Sequence, residues 1–115
     1  MSLSSLLSAL KGGVSAAAIS HEELVAAISA GTFHIIDVRE PNEYAGGHLP
    51  SAVNHPLSQF DPSQLPKDKP VVLVCQAGGR SAKALQAAHS AGLTHVVHYP
   101  PGTGGWRAQG GHIAM

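Results

Sequence analysis

The sequence predicts an α/β domain in which a parallel sheet carries helices on both faces. Strand-like and helix-like stretches alternate along the 115 residues, and this alternation is typical of parallel sheets with helical crossovers. The stretches at residues 33–38 (FHIIDV) and 71–75 (VVLVC) are almost continuously apolar, as expected of strands that are covered on both faces. We therefore expect these two stretches to form the centre of the sheet.

The first helix has a defined beginning and end in the sequence. Ser20 and Glu23 form a capping-box pattern at the start of HEELVAAISA, and Gly31 follows its last residue. Such a box satisfies exposed amides at a helix start, and glycine readily adopts the left-handed conformation that ends many helices. The pattern predicts a helix over residues 21–30.

The later elements are delimited mainly by proline and glycine. Pro41 and the Gly46-Gly47 pair enclose a short helical turn, and Pro56 ends a short strand. The predicted order after the first long strand is a helical turn, a short strand (52–55), a proline-bearing connector (58–70), the second long strand (71–75), an alanine-rich helix (80–91), a last strand (94–99), a loop (100–105) and a short closing helix or turn (106–115).

Composition favours one domain without a nucleic-acid or membrane role. Seven basic and seven acidic residues give a net charge of zero, so no basic face is indicated, and no apolar run is long enough to cross a membrane. We predict an arm over residues 1–13 and one domain over residues 14–115. The leucines of the arm leave two interpretations open, a short amphipathic helix or a loosely docked terminus.

The N-terminal residues also bear on the cellular compartment of the protein. Lys11 follows the apolar part of the arm instead of preceding it, which is unlike a secretory signal peptide. A single cysteine cannot form an intramolecular disulfide and fits a reducing compartment. We therefore expect a cytoplasmic protein.

Cys75, the only cysteine, ends the most apolar strand-like stretch. Ligands of open α/β sheets bind beyond the carboxyl ends of strands, and a glycine-rich turn before a helix directs amide N–H groups toward an anion. A thiol in such a turn, next to an arginine, shifts toward thiolate. A buried core cysteine is the alternative interpretation. The residues of this turn are Gln76, Ala77, Gly78, Gly79, Arg80 and Ser81.

Three stretches resemble the rhodanese (sulfurtransferase) domain family. They are residues 37–57 (DVREPNEYAGGHLPSAVNHPL), 71–85 (VVLVCQAGGRSAKAL) and 104–110 (GGWRAQG), which resemble the family's D-V-R, G-H-I-P-G-A-x-N, C-x-x-G-x-R-S and G-G-x-x-A-W-x-x-x-G stretches. The resemblance implies a parallel five-stranded sheet flanked by helices on both faces. It also implies that Cys75 accepts a sulfane sulfur as a persulfide, with residues 76–81 as the substrate-binding loop.

The resemblance extends to supporting residues. Asp37, Arg39 and Glu43 match family positions whose expected role is to organise the loop and the sheet, and His48 matches a turn that its hydrogen bond is expected to fix. The sequence departs from the family pattern at residues 100–105 (PPGTGG), which lengthen the approach to the closing helix. We expect no direct contact between this segment and the cysteine.

By resemblance, the expected reaction takes sulfur from a small anionic donor such as thiosulfate and passes it to cyanide or a thiol, without a metal or an organic cofactor. A sulfur carrier that delivers persulfide to a partner protein is an alternative. A cysteine phosphatase or arsenate reductase is another, although its C-x5-R pattern has one residue more than the Cys75–Arg80 spacing. A non-catalytic binding module is a fourth interpretation.

Eight histidines raise the question of a metal site. None lies in a known metal-ligand spacing, so we expect no metal. His95 and His98 lie three positions apart on a predicted strand, and most of the eight histidines are predicted to lie at sheet edges or on the surface.

Overall fold

The computed structural model describes residues 17–115, which form a parallel sheet flanked by helices. The predicted arm at residues 1–13 lies outside the described residues. The strands follow the order β2-β1-β3-β4 across the sheet. They are β1 (His34–Asp37), β2 (Val53–Asn54), β3 (Val71–Val74) and β4 (Val96–His98), and the helices are α1 (His21–Ala30), α2 (Pro41–Ala45), α3 (Gly79–Ser90) and α4 (Gly102–Ala108), with two 3-10 turns at Leu57–Gln59 and Pro62–Gln64.

The predicted count of five strands is wrong for the described part of the chain, which contains four. A single parallel bridge between Ala18 and His98 takes the position beside β4. The N–H of Ile19 donates to the His98 carbonyl at 3.0 Å, and the N–H of His98 donates to the Ala17 carbonyl at 3.0 Å. Because Ser20 already caps α1, the extended segment cannot continue past Ile19 on its C-terminal side.

The predicted limits of α1 are confirmed. The N–H of Glu23 donates to Ser20 Oγ at 3.1 Å, and the N–H of Ser20 donates to Glu23 Oε1 at 3.0 Å. Gly31 ends the helix with a φ of 65°. Leu24 and Ala27 are buried, so one face of the helix packs on the core.

The core surrounds β3, whose four residues are all fully buried. Its parallel register pairs Asp37 of β1 with Val74, and His98 of β4 with Leu73. The carboxyl ends of three strands therefore meet at one edge of the sheet, and Cys75 follows β3 at this edge. This edge is where open α/β sheets bind ligands.

The closing helix begins earlier than predicted. The segment at 100–105 was predicted to be a loop, but α4 already starts at Gly102. The tryptophan of this helix, Trp106, is buried and its Nε1–H donates to the His112 carbonyl at 2.8 Å. Over residues 17–115, no helix combines the length and the apolar character needed to cross a membrane.

Candidate active site

The Cys75 thiol lies inside the loop that connects β3 to α3. Its Sγ accepts hydrogen bonds from the N–H groups of Gly78 at 3.1 Å and Ser81 at 3.3 Å. The Ser81 hydroxyl oxygen lies 3.6 Å from the same sulfur. Cys75 is only 1% exposed, whereas Gln76 and Ala77 are exposed on the outside of the loop. The loop therefore surrounds the sulfur with hydrogen-bond donors, as the glycine-rich turn predicts.

Gly78 permits the tight path of this loop. Its φ is 98°, and a Cβ at this position would lie 2.4 Å from the Pro100 carbonyl oxygen. A residue with a side chain would be strained both by the backbone conformation and by this contact. Glycine here lets the amides of the loop turn toward the sulfur.

The segment at 100–105 contacts the cysteine, contrary to expectation. The N–H of Thr103 donates to the Cys75 carbonyl at 2.8 Å, and the N–H of Gly104 donates to the Gln76 carbonyl at 3.1 Å. Gly102 makes this approach possible, since a Cβ there would lie 2.4 Å from the Gln76 carbonyl oxygen. The start of α4 therefore holds the backbone of the loop through two hydrogen bonds.

Two opposing effects determine the pKa of the Cys75 thiol. Burial raises it, because the thiolate loses contact with water. The N–H and hydroxyl of Ser81 and the N–H groups of Ala77 and Gly78 act in the other direction, because they hydrogen-bond to the charged form, and together they hold the pKa of Cys75 below its ordinary value. The hydrogen bonds of the loop therefore shift the thiol toward the thiolate, which is its nucleophilic form.

Arg80 is engaged in an ion pair that spacing alone did not reveal. Its Nη1 lies 2.6 Å from Glu43 Oε1, and its Nη2 lies 3.0 Å from Oε2. The hydrogen bond from Arg80 is the main cause that lowers the pKa of Glu43 to about 2, so the carboxylate stays charged. The positive charge predicted to act on the sulfur is thus largely balanced, and the loop amides are left as the main stabilising groups.

Asp37 and Arg39 form a second, buried ion pair beneath the loop. Arg39 Nη2 lies 2.8 Å from Asp37 Oδ2 and also donates to the Gly47 carbonyl at 2.8 Å. Asp37 is 0% and Arg39 is 4% exposed. The pair therefore joins the end of β1 to the turn after α2, in the organising position that the resemblance implies.

His48 has the hydrogen bond expected of it in that turn. Its Nδ1 lies 3.0 Å from the Tyr44 carbonyl oxygen, and its ring stacks on the Tyr44 ring with centroids 3.9 Å apart. Its backbone also exchanges two hydrogen bonds with Ala114. These contacts hold His48 in the turn after α2.

His98 is the site residue that sequence reasoning missed. Most histidines were predicted to lie at edges or on the surface, and His98 was not set apart from them, but its ring is partly buried and its Nδ1 lies 3.0 Å from Ser81 Oγ. The available signal was its place at the carboxyl end of the strand next to β3. Within residues 17–115, no three His, Cys, Asp or Glu side chains lie close enough together to hold a metal ion.

The fold and the site together define a class: a parallel α/β protein with a cysteine held in an amide-lined loop after its central strand. A family model described as "Rhodanese-like domain" matches residues 20–109. The chain therefore belongs to the rhodanese-like domain family.

Individual relatives show the same similarity. The chain is 44% identical over 78 residues to the uncharacterized protein slr1261 of Synechocystis, covering 66% of this chain and 44% of that protein. It is 29% identical over 92 residues to the thiosulfate:glutathione sulfurtransferase of Saccharomyces cerevisiae, covering 67% and 66%. The chain thus spans less than two thirds of either relative. The human single-domain sulfurtransferase TSTD1 superposes with a TM-score of 0.72 at 30% identity, covering 81% of this chain and 96% of that one.

Proposed function

We propose that this protein is a sulfurtransferase that carries a sulfane sulfur as a persulfide on Cys75. The observation that carries the proposal is the hydrogen bonding of the buried sulfur by the amides of Gly78 and Ser81. Membership of the rhodanese-like family and the sulfurtransferase names of two relatives support sulfur transfer as the general class of function.

The proposed cycle has two displacements. The Cys75 thiolate attacks the outer sulfur of thiosulfate, the S–S bond of the donor breaks, and sulfite leaves with the bonding electron pair. The enzyme then holds an anionic persulfide, Cys–S–S⁻. Cyanide attacks the terminal sulfur, thiocyanate leaves, and the thiolate returns. Thiosulfate and cyanide are the proposed probes of the reaction, and a thiol or a partner protein is an alternative acceptor.

The loop amides suit both anionic states of this cycle. Thiolate and persulfide each carry one negative charge, and donors already oriented toward that charge need no rearrangement during transfer. Residues 76–81 supply these donors, and Asp37, Arg39 and His48 hold the elements around them. The cycle uses no metal or organic cofactor, and the cytoplasm remains the predicted location.

The experiment that tests the proposal is intact-protein mass spectrometry before and after incubation with thiosulfate, and again after cyanide. We expect a gain of about 32 Da, one sulfur atom, that cyanide removes. Because the chain has one cysteine, any such sulfur is assigned to Cys75 without peptide mapping. An unchanged mass with a Cys75 that still reacts with iodoacetamide would contradict thiosulfate as donor, and an inert Cys75 would contradict the persulfide itself.

The Glu43→Gln variant is expected to lower the KM for thiosulfate. Glutamine keeps a hydrogen-bond partner for Arg80 but removes the charge that balances its guanidinium, so an anionic donor gains attraction. Between two solvent-exposed charged groups about 4 Å apart, one unit of charge changes the binding constant by roughly fivefold. Initial rates of thiocyanate formation measure the effect.

The matched control is Glu22→Gln, which makes the same charge change at an exposed position on α1. The gain at Glu43 should shrink with added salt, because salt screens charges near the surface. A KM that is unchanged or higher in the Glu43 variant would show that the balanced charge of Arg80 does not limit donor binding.

A further inference from the structure

A buried serine hydroxyl links the cysteine to a histidine. Ser81 Oγ lies 3.6 Å from Cys75 Sγ, 3.2 Å from the Gly78 carbonyl oxygen and 3.0 Å from His98 Nδ1. Ser81 is 0% exposed. Its hydroxyl proton is therefore shared among protein groups only.

Counting protons limits how these groups can be arranged. A hydroxyl donates one proton and accepts through two lone pairs. A carbonyl oxygen and a thiolate can only accept, so Gly78 and ionised Cys75 both compete for the single Ser81 proton. If His98 Nδ1 were also an acceptor, three acceptors would compete for that proton and the lone pairs of Ser81 would lack a donor. A protonated Nδ1 takes away one of these three acceptors and supplies a donor to a lone pair of Ser81.

We propose that His98 is a positioning residue for Cys75 and acts through Ser81. His98 donates its Nδ1–H to Ser81 Oγ, so the hydroxyl proton is not drawn to His98 and can be shared between the Gly78 carbonyl and the sulfur. The Ser81 hydroxyl then stabilises the thiolate, and in the cycle proposed above it stabilises the persulfide that replaces it. The catalytic part of this inference rests on that proposed function, whereas the effect on the thiol does not.

The backbone holds His98 firmly in this place. Its N–H and carbonyl both bond to the extended segment at Ala17 and Ile19, on the far side of β4 from β3. Burial lowers the pKa of His98 and so favours the neutral ring, and the inference requires the tautomer that carries its proton on Nδ1. A neutral donor at this point orients the hydroxyl without placing a second full charge beside the sulfur.

The test is a double-mutant cycle read by the pKa of Cys75, followed through the ultraviolet absorbance of the thiolate. Because the chain has one cysteine, the titration reports a single thiol. Ser81→Ala and His98→Val should each raise this pKa by roughly one unit, the low end of the effect expected of a hydrogen bond to a charged group. The double variant should raise it no further than Ser81→Ala alone.

Two conservative variants separate positioning from packing. The amide of His98→Asn can place an N–H close to where Nδ1 lies, so this variant should keep the parent pKa. The amide of His98→Gln extends toward the position of Nε2 and should behave like His98→Val. If His98→Val does not fold, the Asn and Gln pair alone decides the question. Equal thiol pKa values in the Asn and Gln variants would overturn the proposal. Additive pKa shifts in the double-mutant cycle would also overturn it.

The same proteins distinguish this inference from the proposed function. The thiol titration is done without any sulfur donor, and each protein is then incubated with thiosulfate and weighed by mass spectrometry. A parent protein that takes up no sulfur contradicts the proposed function, even when the double-mutant cycle shows that Ser81 and His98 are coupled. A parent that takes up sulfur but shows additive shifts contradicts the role of His98.

Discussion

The Cys75→Ser variant is expected to lose sulfur transfer while keeping its fold. A serine hydroxyl is not ionised near neutral pH and cannot form a persulfide, so the first displacement has no nucleophile. We expect the rate of thiocyanate formation to fall by at least roughly 10³-fold, as when other catalytic nucleophiles are removed. Initial rates with thiosulfate and cyanide measure this loss.

The structure gives a reason for the fold to survive. A serine oxygen can accept hydrogen bonds from the same N–H groups of Gly78 and Ser81 that now reach Sγ, so the loop keeps its donors satisfied. Urea denaturation should therefore give a midpoint close to that of the parent. Undiminished activity in a folded Cys75→Ser protein would disprove the persulfide mechanism.

The Gly102→Ala variant is expected to destabilise the protein and distort the loop. A Cβ there would lie 2.4 Å from the Gln76 carbonyl oxygen and 2.6 Å from the Cys75 carbonyl oxygen, so the start of α4 must move away. The N–H of Thr103 would then lose its contact with Cys75. We expect a decrease in the free energy of unfolding of about 2–4 kcal/mol, from backbone strain together with overpacking.

Gly31→Ala is the matched control for this prediction. Gly31 has a φ of 65°, close to the 68° of Gly102, but a Cβ there would meet nothing within 4 Å. Gly31→Ala should therefore show the backbone strain alone, about 1–2 kcal/mol, with an unchanged rate of Cys75 alkylation. If the two variants lose the same stability and alkylate equally, the contact between α4 and the loop has no energetic importance.

Much of the fold could be predicted because its signals are local. The apolar runs at residues 33–38 and 71–75 contain β1 and β3, and the capping pattern of Ser20 and Glu23 gives the start of α1. The position of Cys75 after a buried strand and before a glycine-rich turn likewise depends on adjacent residues. Such signals can be read directly from the sequence.

The features that were missed depend on contacts between distant residues. Arg80 and Glu43 are 37 positions apart, and Ser81 and His98 are 17 apart, so spacing does not show that they pair. The early start of α4 depends on carbonyl groups of the loop that accept its first amides. Among residues 17–115, the single bridge of Ala18 to His98 is followed at once by the Ser20 cap of α1, so a fifth strand does not extend in that direction.

The short strand β2 has a consequence for aggregation. Within the described residues it is the outer strand beside β1, and it contains only two residues before Pro56 interrupts the chain. Long, flat outer strands offer unpaired backbone groups to neighbouring molecules, and short strands with nearby proline reduce this risk. Although Val53 is 61% exposed, the edge of β2 thus offers few backbone groups that could hydrogen-bond to the sheet edge of another molecule in concentrated solution.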